Sequence, residues 1–361
     1  MNDRERFVNC MLGKPIDHVP FWVFWGPWGT TNKRWEREGK PPKTDHRSFA
    51  NPGMPPLTVP VKYGPCPEVP RKVLAKTERY VEHIDEWGII KRDLRDSTSM
   101  AQFLKFPVAG WDDWRAYKHE HLDPEHPDRL AGDWLKTCHT WMDKGYPIQL
   151  GSFPAPSVYG GLRWMLGDEE CLLAFYDAPD LVHDIMDHLT GVYLAVFAKV
   201  VAAGVKVDVI HVWEDMAGRQ GPLISPAHVR EFMLPCYRRI HQFAQEHAIP
   251  LISVDSDGWV DPLIPPLMEG GMNMMFPFEV AAGCDVNDYR KRYPQLGMFC
   301  GIDKRALAKN PAAIDAELDR VWPAVRAGRY IPDLDHLVPD DVSWDHYRYY
   351  VNALKERIFT R

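Results

Sequence analysis

The second half of the chain repeats one pattern, in which a short apolar run is followed by an amphipathic helix. The apolar runs occupy residues 205–213, 249–254, 272–278, 296–302 and 330–334. Before the first run, Leu181, Ile185 and Leu189 begin a series of apolar residues at steps of three or four, which is one face of a helix. Because strands that alternate with helices pair in parallel through helical crossovers, the pattern indicates an α/β fold.

Earlier parts of the chain extend this rhythm. The runs 19–25 and 146–153 are predicted strands, the first of them after a short N-terminal helix, and 80–95 alternates like a hairpin that supplies or replaces the eighth strand. Seven or eight such units favour a single (β/α)8 TIM barrel over residues 1–361 rather than a doubly wound sheet. The proline-rich stretches around 41–76 and 104–127 are predicted to be irregular insertions within this one domain.

Charge and cysteine usage exclude several classes of partner and location. The net charge is −7 and there is no polybasic run, so we expect no nucleic-acid partner. No run approaches the roughly 20 apolar residues that span a bilayer, so we expect no membrane association. The seven cysteines are scattered without a Cys-x-x-Cys pair, and the N-terminus lacks the features of a signal peptide. Both features predict a cytoplasmic protein with reduced thiols.

Acidic residues follow most of the predicted strands, at the end of a barrel where catalytic groups lie. Asp255 and Asp257 are two apart, so in extended backbone they share a face, and they repel each other unless a cation or proton lies between them. With His336 after the last strand they would form a three-residue metal site with an open position. The alternative is that one aspartate caps the helix near residue 261 and His336 is an ordinary loop histidine. Glu214 is a general base, a further ligand or the partner of an arginine, and Glu279 is a further acidic residue at a strand end.

Aromatic residues crowd the same predicted strand ends. Trp25 and Trp28 lie at or beyond the end of the first strand, Trp213 ends the 205–213 run, and Phe153 and Tyr159 lie at and after the end of the 146–153 run. Together they could line an apolar pocket for a flat or aromatic substrate, and the alternative for each ring is plain packing. Cys300, inside an apolar run, is interpreted as a small core residue rather than as a nucleophile or ligand.

Several short strings resemble the uroporphyrinogen decarboxylase superfamily over most of the chain. They are Arg4-Glu5-Arg6-Phe7, Pro15-Ile16-Asp17-His18-Val19-Pro20-Phe21, Gly151-Ser152-Phe153, Glu214-Asp215-Met216-Ala217, Ile224-Ser225-Pro226, Gly301-Ile302-Asp303-Lys304-Arg305, Tyr330-Ile331-Pro332 and Val338-Pro339. This resemblance implies a (β/α)8 barrel and a tendency to form homodimers. True decarboxylases of the family hold the propionates of a porphyrinogen with N-terminal arginines, which residues 22–28 lack. Tyr159 does resemble the pocket tyrosine of those decarboxylases.

The other branch of the family contains methyltransferases that move a methyl group to or from a corrinoid protein. These enzymes hold zinc with a His-x-Cys pair and a later cysteine, and here Asp255-Ser256-Asp257-Gly258 and His336 resemble those positions without any thiolate. An oxygen- and nitrogen-rich site is harder than a thiolate site and suits a substrate that bears oxygen.

The resulting hypothesis is a metal-assisted O-demethylase. It would pass a methyl group from a small methoxylated substrate, in the first place an aromatic methyl ether, to a corrinoid on a partner protein. Asp255, Asp257 and His336 would hold a divalent metal, zinc by preference, with Glu214, Asp257 and His336 as catalytic residues and Trp25, Trp28, Phe153, Tyr159 and Trp213 binding substrate. The alternatives are a decarboxylase of a small or tetrapyrrole-like acid and a non-catalytic module that binds a corrinoid or tetrapyrrole.

Overall fold

The computed structural model describes residues 1–95 and 100–360. The strands are β1 (Leu57–Thr58), β2 (Lys72–Lys76), β3 (Tyr80–Ile84), β4 (Ile90–Leu94), β5 (Gln102–Lys105), β6 (Ile148–Leu150), β7 (Val209–Trp213), β8 (Ala217–Gly218), β9 (Gly221–Pro222), β10 (Leu251–Asp255), β11 (Met274–Phe276), β12 (Gly297–Phe299) and β13 (Tyr330–Ile331). The helices are α1 (Asp3–Met11), α2 (Gly29–Arg37), α3 (Trp111–His121), α4 (Trp134–Asp143), α5 (Tyr159–Leu166), α6 (Asp168–Asp177), α7 (Pro179–Ala202), α8 (Pro226–His228), α9 (Leu234–Glu246), α10 (Ile264–Glu269), α11 (Val286–Arg292), α12 (Pro311–Ala327) and α13 (Trp344–Thr360).

A parallel sheet organises the fold. Its order is β1-β6-β7-β10-β11-β12-β13, and every neighbouring pair in it is parallel. The strands predicted at 146–153, 205–213, 249–254, 272–278, 296–302 and 330–334 are all confirmed as members of this sheet, and the helices predicted between them are present. Because consecutive members are joined by helices, the carboxyl ends of all seven strands lie at the same edge, which we call the mouth.

The sheet is a seven-stranded part of a barrel, and one predicted strand is absent from it. Residues 19–25 form no strand, so that prediction is wrong. The segment nevertheless lies between the two edge strands, because the Phe21 carbonyl accepts from the Gly53 amide, near β1. On the other side the Phe24 amide donates to Asp333, which follows β13 (2.6 Å). A regular ladder is absent because Pro20 has no amide hydrogen to donate and the Phe24 amide donates to a side chain instead.

The first strand of the sheet lies where the sequence predicts only an insertion. Leu57 and Thr58 lie within the 41–76 stretch and pair in parallel with Ile148 and Gln149. Two residues are too short for a periodic signal, and the surrounding prolines hide the strand. The 104–127 stretch likewise contains α3, so neither stretch is wholly irregular.

The predicted hairpin at 80–95 is confirmed, but its place in the barrel is not. β3 and β4 pair antiparallel and join β2 and β5 in a separate four-stranded sheet. The hairpin therefore does not provide an eighth barrel strand. The side chain of Lys91 lies over the rings of Phe103 and Trp164, which ties this sheet to the helix after β6.

The interior of the parallel sheet is closed by α1 at the end opposite the mouth. Apolar residues of the strands and of the segments beside them form one cluster with α1, and its members are Phe7, Cys10, Met11, Trp22, Val209, Leu251, Met274, Phe276, Phe299, Cys300 and Ile331. The Phe7 ring lies 5.2 Å from that of Trp22. The Asn2 side chain and Glu5 cap α1 reciprocally, which fixes where the helix begins.

The longest helix, α7, packs along the outside of the sheet. By length and composition it is apolar enough to cross a membrane. Its apolar stripe, which includes Leu181, Ile185 and Leu189, is fully packed into the large core of the protein, and this is the packing of a core helix. All seven cysteines of the chain are buried and free.

Candidate active site

A cavity opens inside the barrel at the mouth, with a volume of about 240 Å³. Its lining is Trp22, Phe24, Trp25, Pro55, Pro56, Thr58, Gln149, Ser152, Phe153, Val209, His211, Ser253, Asp255, Met274, Phe276 and Phe299. Most of these side chains are aromatic or aliphatic, and no lysine or arginine is among the described residues that line it. The volume lies below the usual range for ligand pockets, so the cavity suits one small, mainly apolar molecule.

Four polar side chains line this cavity deeper than Asp255, and we call them its floor: Thr58, Gln149, His211 and Ser253. Ser253 and His211 are register partners on β10 and β7, and both are buried. The His211 ring stacks on that of Phe276 at 5.5 Å, and burial lowers the pKa of His211 to about 4, so its imidazole is neutral at physiological pH. Beside them the Gln149 amide donates to the hydroxyl of Thr58 (3.1 Å).

Asp255 is the acidic residue that reaches the cavity. It ends β10, where its register partners are Trp213 and Phe276. Burial, and after it the negative charges of Asp257 and Asp215, raise the pKa of Asp255 well above its ordinary value. Burial and these charges favour the protonated form of the Asp255 carboxyl, which can donate a hydrogen bond.

The turn after β10 is fixed on both sides, and it directs Asp257 to the mouth. The Ser256 hydroxyl accepts from the Met216 amide (3.0 Å), and the Gly258 amide donates to Glu279 (3.1 Å). Gly258 has a φ of +78°, and a Cβ there would lie 2.6 Å from the Ala217 carbonyl oxygen. Only glycine fits this close approach, so the turn itself requires the glycine of the Asp-Ser-Asp-Gly string.

Asp257 and His336 meet at the rim of the cavity. His336 Nε2 lies 3.5 Å from Asp257 Oδ2, with 22% and 38% of the two side chains exposed. Burial, together with the charges of Glu279 and Asp215, raises the pKa of Asp257 to about 7. The His336 ring stacks on Trp25 at 4.6 Å, and burial, followed by the Lys304 charge, lowers the pKa of His336. Trp25 thus joins the pair to the cavity that it lines.

Two cations neutralise other acids of the mouth. Lys304 Nζ lies 3.4 Å from Glu279 and 3.3 Å from Asp335. Arg163 donates to the Asp215 carboxylate (2.6 Å) and to its backbone carbonyl (2.9 Å). Neither cation lines the cavity, and Asp255 is the carboxyl-bearing residue among its described lining residues.

Glu214 lies behind the cavity wall rather than in its lining. Its carboxylate accepts from the Tyr237 hydroxyl (2.7 Å) and the Gly160 amide (3.0 Å). It also accepts from the Val158 amide (3.2 Å) and the Ser157 hydroxyl (3.3 Å). Burial raises the pKa of Glu214 to about 7 against the lowering effect of these donors. The residue fixes the loop that enters α5, and its partner is not an arginine.

The predicted substrate-binding aromatics fall into three positions. Trp25 and Phe153 line the cavity. Trp213 lines an adjoining side cavity, which Phe153 also borders, and the two rings meet edge to face at 4.9 Å. Tyr159 is buried in the core against Phe175, and Trp28 precedes α2 outside the cavity lining. Phe153 is 54% exposed and lines both cavities.

The proposed metal ligands are only partly brought together. Asp257 and His336 are adjacent, whereas Asp255 faces the cavity. Among the described residues, no group of three or more histidine, cysteine, aspartate or glutamate side chains is placed to hold a metal ion. A two-residue pair is fewer than the three protein ligands of a catalytic zinc site, so Asp257 and His336 alone do not complete one.

The sequence reasoning missed the polar floor of the cavity. Within β10 the order Leu-Ile-Ser-Val-Asp places Ser253 and Asp255 on one face of an otherwise apolar strand, and His211 interrupts β7 in the same way. Polar residues at alternate positions of a buried strand must face a cavity or a partner. That signal was present in the sequence and could have identified these residues.

Comparisons with known proteins agree with this architecture. The uroporphyrinogen decarboxylase (URO-D) family model matches residues 165–357, more than half of the chain. The solved structure of a methyltransferase from Methanosarcina mazei is similar, with a TM-score of 0.61 over 99% of this chain and 99% of that chain. The sequence identity is 14%, so this second likeness concerns the fold alone. No curated protein matches the sequence.

Proposed function

The chain belongs to the uroporphyrinogen decarboxylase family, and from this premise we propose that it is a methyltransferase that demethylates a small aromatic methyl ether. The observation that carries the proposal is the composition of the cavity. Aromatic rings form its walls, one carboxyl group reaches it, and none of its described lining residues is a lysine or an arginine. A tetrapyrrole with several carboxylates needs cationic partners, and the volume of 240 Å³ is far better suited to one ring.

The walls supply binding and orientation. Trp25 and Phe153, with Phe24, Phe276 and Phe299, offer faces and edges for an aromatic ring. The methyl group would point to the mouth, where an acceptor can reach it. The acceptor in this proposal is a corrinoid on a partner protein, which when bound supplies the nucleophile that takes the methyl group.

The difficult part of ether demethylation is the leaving oxygen. When the methyl–oxygen bond breaks, the oxygen keeps the bonding electrons and becomes a phenoxide unless it takes a proton. The Asp255 carboxyl lines the cavity and can donate a hydrogen bond and then a proton to this oxygen. Asp257 and His336 lie at the rim of the cavity and can pass a proton from solvent back to Asp255.

Three further elements of the hypothesis stay predictions. A divalent ion, zinc by preference, at Asp255, Asp257 and His336 would polarise the ether oxygen, but the arrangement described above lacks a close third ligand. The corrinoid partner and the homodimer likewise rest on the family resemblance. None of these is needed for the roles that we assign to Asp255 and the aromatic walls.

The test is methyl transfer by the full chain to free cob(I)alamin, with methoxybenzene and methoxyphenols as donors. We expect methylcobalamin and the demethylated phenol in equal amounts. The variant Asp255→Ala should lower the rate about 100-fold, as loss of one oriented donor does elsewhere. The matched control is Asp345→Ala, because Asp345 is exposed and pairs with Arg348 on the surface.

Two results would contradict the proposal. One is the absence of transfer from every methoxylated donor with active cob(I)alamin present. The other is release of labelled carbon dioxide from a small carboxylic acid without any corrinoid, which would favour the decarboxylase alternative. Tight corrinoid binding without turnover, unaffected by Asp257→Ala, would instead indicate a binding module.

A further inference from the structure

The floor of the cavity contains a hydroxyl group that has no partner within the protein. Ser253 is 1% exposed, lines the cavity, and its Oγ makes no hydrogen bond to any described residue. Buried hydroxyl groups are normally paired, and an unpaired one destabilises the empty protein. Alanine would fill the same space without this cost, so the hydroxyl is better explained by a ligand than by packing.

His211 adds a second hydrogen-bonding group beside Ser253. The two residues are register partners on neighbouring strands and line the same cavity. The stack on Phe276 fixes the His211 ring. A neutral imidazole offers one donor and one acceptor nitrogen, and a serine hydroxyl can donate or accept. The floor can therefore bind a group such as a hydroxyl or a carbonyl.

The charges around the cavity restrict that group further. The described lining contains no lysine or arginine to pair with an anion, and it contains Asp255. A carboxylate on the ligand would be desolvated there without a counter-charge, which is costly. The polar group that the floor accepts is therefore uncharged.

The strand geometry places the floor away from the reacting oxygen. Ser253 precedes Asp255 by two residues in β10, so the two side chains share a face and lie roughly 6 to 7 Å apart along the strand. This separation spans a six-membered ring rather than two adjacent ring positions.

We propose that Ser253 and His211 form a polar subsite that binds an uncharged hydrogen-bonding substituent across the ring from the methyl ether. This assignment of the substrate class rests on the proposed function for the methyl ether itself, but the subsite can be tested without methyl transfer. Phenol and toluene differ in one hydroxyl and carry no methoxy group. 4-Methoxyphenol, 2-methoxyphenol and 4-methoxybenzoate then test position and charge.

Binding to the full chain is measured by isothermal titration calorimetry. We expect phenol to bind about tenfold tighter than toluene, 4-methoxyphenol to bind tighter than 2-methoxyphenol, and 4-methoxybenzoate to bind weakest. Ser253→Ala should remove most of the preference for phenol over toluene while leaving toluene binding unchanged. His211→Phe keeps a ring against Phe276 and should reduce the same preference. Ser48→Ala, at an exposed serine, is the matched control.

The outcomes separate the subsite from the proposed reaction. If the phenol preference disappears in Ser253→Ala but no methoxy compound transfers its methyl group, the subsite stands and the proposed function fails. Equal weakening of phenol and toluene by Ser253→Ala would overturn the subsite, because the hydroxyl would then be structural. The subsite would also be overturned if 4-methoxybenzoate or 2-methoxyphenol bound more tightly than 4-methoxyphenol, or if none of the probes bound.

Discussion

The position of Glu214 leads to a sharp prediction, because this residue was expected to be catalytic and lies outside the cavity lining. Replacing it by alanine removes the acceptor of four buried hydrogen bonds. At about 1 kcal/mol for each lost bond, the free energy of unfolding should fall by about 4 kcal/mol. Glu214→Gln keeps one acceptor oxygen, but its NH2 group faces donors of the protein with which it cannot form hydrogen bonds. We therefore expect the free energy of unfolding to fall by about half as much as in Glu214→Ala.

These losses convert into shifts of the melting temperature. Unfolding entropy is about 2.1 cal/mol/K per residue, and the chain has 361 residues, which gives roughly 0.8 kcal/mol/K. Glu214→Ala should therefore melt about 5 K below the native protein and Glu214→Gln about 2 to 3 K below it. Tyr237→Phe, which removes a single donor, should melt only 1 to 2 K below it, a difference of roughly one hydrogen bond.

The assay is differential scanning calorimetry at one pH and one scan rate, combined with calorimetric binding of methoxybenzene. The structural role predicts that all three variants lose stability in this order while the folded fraction still binds methoxybenzene normally. A Glu214→Ala variant that melts within about 1 K of the native protein but no longer supports methyl transfer would refute the reasoning. Glu214 would then act on the reactants.

Three further predictions concern the mouth. Trp25→Ala should weaken methoxybenzene binding about tenfold in calorimetry because a cavity wall is lost, whereas Trp28→Ala should leave it unchanged; equal losses would contradict the assignment of the walls. Since the pKa of Asp257 is raised to about 7, its contribution to stability is fully present below pH 4 and is lost as the pH rises through 7. Asp257→Asn should thus gain melting temperature relative to the native protein between pH 5 and pH 8, and parallel curves would refute this. The zinc prediction implies that plasma mass spectrometry finds a stoichiometric amount of zinc in the native protein and little in His336→Ala. Native protein without metal would contradict the zinc prediction.

The sequence was informative about the parallel strands because burial on both faces makes them apolar. β7, β10 and β12 appear as isolated apolar runs between helical patterns, and this contrast does not depend on tertiary contacts. β1 was missed because two residues carry no period, and its pairing with β6 is a long-range contact. Residues 19–25 have strand composition, but Pro20 and the side chain of Asp333 replace the ladder there.

The candidate site was predictable in its location but not in its details. Asp255, Asp257 and Trp25 were found because strand ends of a barrel converge at one edge. The role of Glu214 depends on donors from α5 and on Tyr237 of α9, which no local pattern reveals. The same holds for Tyr159, whose side chain turns into the core.

The helix α1 closes the far end of the barrel with Phe7, Cys10 and Met11. Because the described residues close the cavity at this end, we expect a small molecule to enter through the mouth, and the proposed methyl acceptor would have to approach through the mouth as well. Under the proposed reaction this imposes an order of binding and release: the ether binds first, the carrier protein binds second, and the phenol is released only after the carrier has dissociated. Steady-state kinetics should accordingly show compulsory-order binding, with excess carrier protein acting as an inhibitor.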